Sequence, residues 1–240
     1  VLEASHKIWA EFLFERYLKH LFNRHFTTFN LFGIVPQVPK DVPILILPNH
    51  NSWWDGFFVH NLNKRFFQRR LYVMMLEEQL RKYPFFRYVG AYGIIPDNPH
   101  DIRKSINYTV NIIEKPPPEG AALCMFPQGE LVSWYQNPLN YQRGIEVIIR
   151  RTKQPLILLP LMSRIEYLNE QYPHVFFLFG TPIEILPGQE FRIQQLANVT
   201  DRLRNDLKGE LIKNNYGHVF FSGRRSEHTE SKMTGSDINL

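Results

Sequence analysis

The chain has 240 residues, 44% of them hydrophobic and 14% aromatic, and no Gly/Ser-rich linker or break in composition divides it, which favours one core over two small domains. Its single cysteine, Cys124, excludes an internal disulfide framework and points to a reducing compartment, and no zinc-type spacing suggests a structural metal. A net charge of +5 favours anionic partners, lipid head groups or phosphorylated acyl carriers before nucleic acid, because no zinc finger, ribonucleoprotein signature or recognition-helix pattern is present.

Residues Ser5 to about Phe32 carry Ile8, Trp9, Phe12, Leu18, Phe22 and Phe26 at helical spacing, interrupted by Lys7, Arg16, Lys19 and Arg24. A helix of this kind can lie in a membrane interface, rings among acyl chains and cations toward head groups, or it can pack on its own domain; the sequence weighs the two equally. No run approaches the roughly 18 apolar residues of a spanning helix, and the start lacks the pattern of a signal peptide. The expectation is a protein that lies on a bilayer without crossing it.

Val42 to Pro48 reads as a buried strand. It runs into Asn49-His50-Asn51-Ser52-Trp53-Trp54-Asp55-Gly56, which sets a histidine and an aspartate five positions apart; none of the other histidines has an Asp at that distance. A neutral imidazole can take a proton from a hydroxyl near pH 7 if a carboxylate fixes its tautomer and stabilises the imidazolium that forms. No neighbouring nucleophilic serine is needed, since the hydroxyl can belong to the substrate. The spacing also fits a helix start, with Asn49 or Ser52 as the cap and Asp55 in the first turn.

Helix-like and strand-like segments then alternate. Helices are expected from Trp54 to about Phe67, Glu77 to Tyr83, His100 to Lys115, Gly144 to Lys153 and Phe191 to Asn214. Strands are expected at Leu71–Met75, Gly93–Ile95, Ala121–Phe126, Leu156–Leu161 and His174–Phe179. The alternation predicts an α/β fold, a mostly parallel sheet flanked by helices with an N-terminal amphipathic helical segment. The expected organisation is an aromatic-rich segment at 1–34, one domain at 35–221 and a disordered tail at 222–240. Ligands gather beyond the carboxyl ends of strands in such folds, so His50 and the loop Pro127-Gln128-Gly129-Glu130 could meet at one site. P-loop, GxGxxG, GxSxG and HExxH patterns are all missing, which disfavours nucleotide hydrolysis, nicotinamide chemistry, the usual serine hydrolase and a zinc protease.

Four blocks stand in one order: Asn49-His50-xxxx-Asp55-Gly56, Gly90-Ala91-Tyr92-Gly93-Ile94-Ile95, Phe126-Pro127-Gln128-Gly129-Glu130, and Leu158-Leu159-Pro160-Leu161. Together they resemble the glycerolipid acyltransferase family, the lysophosphatidate acyltransferase-like enzymes, over roughly Val42 to Ile185. Tyr141-Gln142-Arg143-Gly144 resembles the basic residue plus glycine between the third and fourth blocks, and Gly180-Thr181-Pro182 a later turn. The resemblance implies that His50 deprotonates an acceptor hydroxyl while Asp55 orients it. The hydroxyl then attacks the thioester of acyl-CoA or an acyl carrier protein, used as co-substrate with no other cofactor and no metal. Asn49, Gly90, Phe126, Pro127, Gln128, Gly129, Glu130, Arg143 and Pro160 become candidate substrate-binding residues, with backbone N–H groups near Gly129 as oxyanion donors. Trp53, Trp54, Phe57 and Phe58 either line an acyl groove or fill core.

The departures bear on the acceptor. Family members that acylate phosphate-bearing acceptors usually end the second block in arginine and have a third block resembling Phe-Pro-Glu-Gly-Thr-Arg. This chain has Pro96, Gln128, Glu130 and Leu131 in place of the first arginine, the glutamate, the threonine and the second arginine. Two phosphate-binding cations are therefore missing, and Glu130 would repel a phosphate. The expected acceptor is a neutral lipid alcohol, a glycolipid or a glycosylated isoprenoid. Substitution of the lost cations by Arg103, Lys104, Arg143 or Arg164 would instead suit a 1-acylglycerol-3-phosphate, and Glu130 could equally pair with Arg143. An inactive lipid-binding scaffold, and a hydrolase with His50, Asp55 and His60 or His100 on a metal, are the competing classes. His60 reads as a helix-surface histidine and Cys124 as a buried small residue. The expected location is peripheral, on the cytoplasmic side of a membrane.

Overall fold

The structure is a computed structural model, and residues 1–136 and 138–224 are described. In chain order the elements are α1 (Ile8–His25), β1 (Thr28–Phe32), β2 (Ile44–Pro48), α2 (Asp55–Leu62), β3 (Arg70–Leu76), α3 (Glu77–Lys82), β4 (Ala91–Ile94), α4 (Pro99–Glu114), β5 (Ala121–Cys124), α5 (Gly144–Arg151), β6 (Leu156–Glu166), β7 (His174–Phe179), β8 (Ile183–Ile185), α6 (Ile193–Ile212) and β9 (His218–Ser222). A π-helical turn at Asn63–Phe67 extends α2, and a 3₁₀ turn at Pro84–Val89 leads into β4. The strands form one sheet in the order β4-β3-β5-β2-β6-β7-β1-β9, with β8 paired to β6. From β4 through β6 all neighbours are parallel, as are β7 and β1; β7 and β8 run antiparallel to β6, and β9 to β1.

Helices cover both faces, which is why the central strands are apolar without interruption. In β2, Ile44 and Ile46 face the core shared with Phe22 of α1 and Phe58 of α2, while Leu45 and Leu47 face the core shared with Ile113 of α4 and Ile148 of α5. The parallel strands direct their carboxyl ends to one edge of the sheet, and β2 ends there two residues before His50.

The N-terminal region departs from the single helix expected from Ser5 to Phe32. Residues 1–7 run extended beside β4 and the turn before it, where Gly93 N–H donates to the Leu2 carbonyl (2.8 Å) and Ser5 N–H to that of Arg87 (2.8 Å). The helix then stops at His25. Phe26 is extended, and two β-branched threonines carry the chain into β1, whose Phe29 and Leu31 are buried between β7 and β9. A short apolar run after a helix looks the same to either periodicity. Residues 1–34 accordingly share a core with the rest: Ala10, Phe14, Leu18 and Phe22 of α1 pack with β1, β2 and α2. At the other end, Ser222 closes β9, and Gly223 and Arg224 donate to the Thr27 and Phe26 carbonyls (2.8 and 3.0 Å). The expected disordered tail therefore does not begin at 222; its remainder, 225–240, lies outside the described residues.

Candidate active site

Asn49 is the first residue beyond β2, and its buried carboxamide is used at both ends. Nδ2 donates to the Ser163 carbonyl (3.0 Å) and Oδ1 accepts from the Ser163 N–H (2.7 Å). The strand end is thereby clamped to β6. Asn49, expected among the substrate-binding residues, fixes the backbone that presents His50.

His50 Nδ1 bonds Asp55 Oδ2 at 3.0 Å. The same oxygen accepts from the Asn51 and Ser52 amides (2.8 and 2.9 Å), and Oδ1 accepts from the Ser52 hydroxyl (2.6 Å). Asp55 also opens α2, where the positive end of the helix complements a carboxylate. Asp55 thus takes the first-turn place expected of it, while the N-cap is Trp54 with no side-chain cap bond, rather than Asn49 or Ser52. Because a carboxylate only accepts, Nδ1 carries the proton and Nε2 the lone pair. The acid is shielded, its side chain 1% exposed, whereas the imidazole is 23% exposed and within reach of a ligand.

The third block wraps this pair. The Phe126 ring stacks on the imidazole, centroids 4.0 Å apart and planes 23° from parallel. Val132 N–H donates to the His50 carbonyl (2.9 Å), and Gln142 N–H to the Pro127 carbonyl (2.8 Å), so the loop is tied both to the histidine and to the segment before α5. Gly129 has φ +77°, and a Cβ there would lie 3.0 Å from Gln142 Cγ. Its own N–H closes a turn on the Phe126 carbonyl at 3.0 Å. Gln128 is buried, and its Oε1 meets no partner among the described residues. Glu130 and Arg143 are both exposed and form no ion pair with each other.

Two other candidates occupy constrained backbone positions. Gly90, with φ +101°, packs so tightly that a Cβ would sit 2.0 Å from the Leu71 carbonyl oxygen; it precedes β4 at about the level of Leu45, short of the edge that carries His50. Pro160 is buried opposite Leu47, where β6 passes from its pairing with β8 to that with β7 and no amide donor is required on that side. Its carbonyl accepts from Gly180 N–H (2.8 Å), so two segments named by the resemblance meet for structural reasons.

Arg164, expected as a substitute cation, lies over the rings of Trp134 and Tyr135 (5.1 and 5.3 Å) and bonds Glu166 at 2.7 Å. Lys104 is paired with Asp101 (3.1 Å). Of the four rings that open α2, Phe58 is core, Trp54 and Phe57 are half-buried, and Trp53 is exposed and edge-on to Phe57 (4.6 Å). Phe57 also contacts Phe14 and Phe86, which line an apolar groove of about 460 Å³ with Leu13, Tyr17 and Tyr83. Cys124 is buried as expected, and burial pushes its thiol pKa up. His60 is not a surface histidine. Its ring sits edge-on to Phe14 (4.9 Å), its Nε2 is buried without a partner among the described residues, and desolvation lowers its pKa to about 4. Among the described residues no three His, Cys, Asp or Glu side chains gather as a metal would require. Sequence reasoning missed Ser52 as a partner of Asp55; a hydroxyl three residues before a first-turn aspartate was the available signal.

A family model described as Acyltransferase matches residues 34–164, more than half of the chain. Among curated proteins there is no match. The fold is similar to that of the crystal structure of the 1-acyl-sn-glycerophosphate (LPA) acyltransferase PlsC from Thermotoga maritima, with a TM-score of 0.53 and 18% identity over 83% of this chain and 79% of that one. The chain belongs to the acyltransferase family.

Proposed function

We propose that this acyltransferase moves a fatty acyl group from the thioester of acyl-CoA or an acyl carrier protein to a lipid hydroxyl, with His50 as general base and Asp55 as the acid that orients it. The observation that carries the reading is the saturated carboxylate: with every Asp55 bond directed to His50 or its own turn, the imidazole offers only Nε2 to a substrate. His50 Nε2 takes the acceptor's proton as the oxygen attacks the thioester carbonyl. The tetrahedral intermediate then expels the thiolate, which recovers that proton from the imidazolium.

A neutral acceptor, such as a lipid alcohol or a glycolipid, is supported by three features. Arg164 and Lys104 are already paired, Pro96 and Leu131 stand where cations would be, and Glu130 is an unpaired carboxylate two residues from the bond to His50. Arg143 favours a second reading, a phosphate-bearing acceptor, because it is an exposed cation next to Gln142, which touches the third block. Peripheral attachment to a membrane is supported by Trp9, Phe12, Leu13 and Tyr17, which α1 leaves exposed opposite its buried face, and by the neighbouring Arg16 and Lys19. Among the described residues no helix is long and apolar enough to cross a membrane. Labelled acyl-CoA and acyl carrier protein, each offered with neutral and phosphorylated lysolipids, test the reading. Faster transfer to neutral acceptors is expected; a large preference for lysophosphatidate would replace it by the second reading, and no transfer from any thioester would overturn both.

A further inference from the structure

His50 is held from two directions, and only one of them is the carboxylate. Asp55 takes the edge of the imidazole at Nδ1; the face is taken by Phe126, near-parallel at 4.0 Å between centroids. The phenyl ring has little freedom to leave. Its strand end is tied to β2 by the Met125 N–H bond to the Ile46 carbonyl (3.1 Å), its own carbonyl accepts from Gly129 (3.0 Å), and Pro127 stiffens the backbone that follows. The ring packs against the core that α1 and α2 share with β2. Val132 then returns the loop to the His50 carbonyl (2.9 Å), so the loop that carries the stacked ring is tied to the histidine backbone.

A phenyl face is the negative end of a quadrupole, and a cation within about 6 Å of its centroid is attracted to it. A neutral imidazole gains little from that field. The imidazolium that forms when Nε2 takes a proton gains more, so the stack discriminates in favour of the charged state through which base catalysis passes.

We propose that Phe126 is a positioning residue that sets the plane of the His50 ring and, through its π face, raises the basicity of Nε2. The inference rests on the assignment of His50 as the base. The charged group bonded to the imidazole is Asp55 on α2; Glu130, two residues before the Val132 that bonds the His50 carbonyl, and Arg143, next to the Gln142 that bonds Pro127, are exposed. None of these is altered by a change confined to the Phe126 ring.

Progressive fluorination of Phe126 keeps its shape and drains its quadrupole, and so separates electrostatics from packing. The full chain carrying mono-, di- and trifluorophenylalanine at 126 is compared with wild type and with Phe126→Leu. The His50 titration is followed by NMR, and the pH dependence of kcat/KM for acyl transfer is measured alongside. The expected result is a stepwise fall of the His50 midpoint along the fluorinated series, about half a pH unit in total, with the acid limb of the rate profile moving to lower pH and the plateau falling severalfold. Phe126→Leu should move both the same way, and Phe126→Tyr should restore wild-type behaviour. A His50 midpoint unmoved by fluorination would overturn the inference even if the plateau fell, since that pattern belongs to packing alone. His50→Ala is the separate control: retained transfer there would remove the assignment of the base, whereas lost transfer with an unmoved midpoint removes only the role of Phe126.

Discussion

The strands on the two flanks of the β6–β7 seam bury polar side chains in different ways. On the flank of β2, β5 and β6, Asn49 is clamped to Ser163, and Asp55 bonds Ser52, Asn51 and His50, whose imidazole is partly exposed. On the flank of β7, β1 and β9, Thr28, Asn30 and His174 bond one another under a packed layer of rings, with Phe29 4.7 Å from Phe221, 5.4 Å from Phe58 and 5.8 Å from Phe177. The first flank orders the His50 imidazole, and the second orders a layer of packed rings. A buried polar network becomes a candidate site when it leaves one valence directed at solvent.

Substitutions should separate the flanks by what they damage. The largest effect is expected from Asp55→Asn. The amide would donate to His50 Nδ1 and impose the wrong tautomer, lowering kcat for acyl transfer about a thousandfold or more while the protein still unfolds cooperatively. A loss below about tenfold would show that the carboxylate mainly shapes the turn. Phe29→Ala should do the converse. Removal of a fully buried ring from the aromatic layer costs about 3–5 kcal/mol in denaturant unfolding, with the rate per folded molecule little changed. A strong rate loss in folded Phe29→Ala protein would mean that the flanks are coupled.

A smaller and pH-dependent effect tests the seam between α1 and α2. His60 is kept neutral there, its folded pKa of about 4 lying below the unfolded value of about 6.5. Between those values the unfolded chain binds more protons, so stability falls as pH drops through that window and is regained as pH rises. Between pH 7 and pH 5 the wild type should lose about 2 kcal/mol from this group, and His60→Phe should abolish that part of the loss. Parallel unfolding curves for both proteins at the two pH values would show that His60 is solvated in the folded state.

The same contrast decides how much was legible in the sequence. β2, β5 and β6 announce themselves as continuous apolar runs because helices cover both their faces. β1 was hidden because Phe29, Leu31 and Phe32 prolong the apolar content of the helix before it, and β9 because five residues between a helix end and a polar tail show little periodicity. At the site, His50 and Asp55 were legible through spacing and position after a strand. The Val132 bond to the His50 carbonyl was not, since a backbone donor leaves no signature in residue type, and the Phe126 stack depends on two loops meeting in space. Asn49, Gly90 and Pro160 were expected to bind substrate; in the structure they form a clamp, a close backbone approach and a change of strand partner.

The most direct test of the account is acyl transfer from labelled acyl-CoA by His50→Ala protein whose thermal unfolding matches wild type. The account predicts a fall in rate of about a thousandfold, with donor still bound. A rate equal to wild type in that folded protein would contradict it.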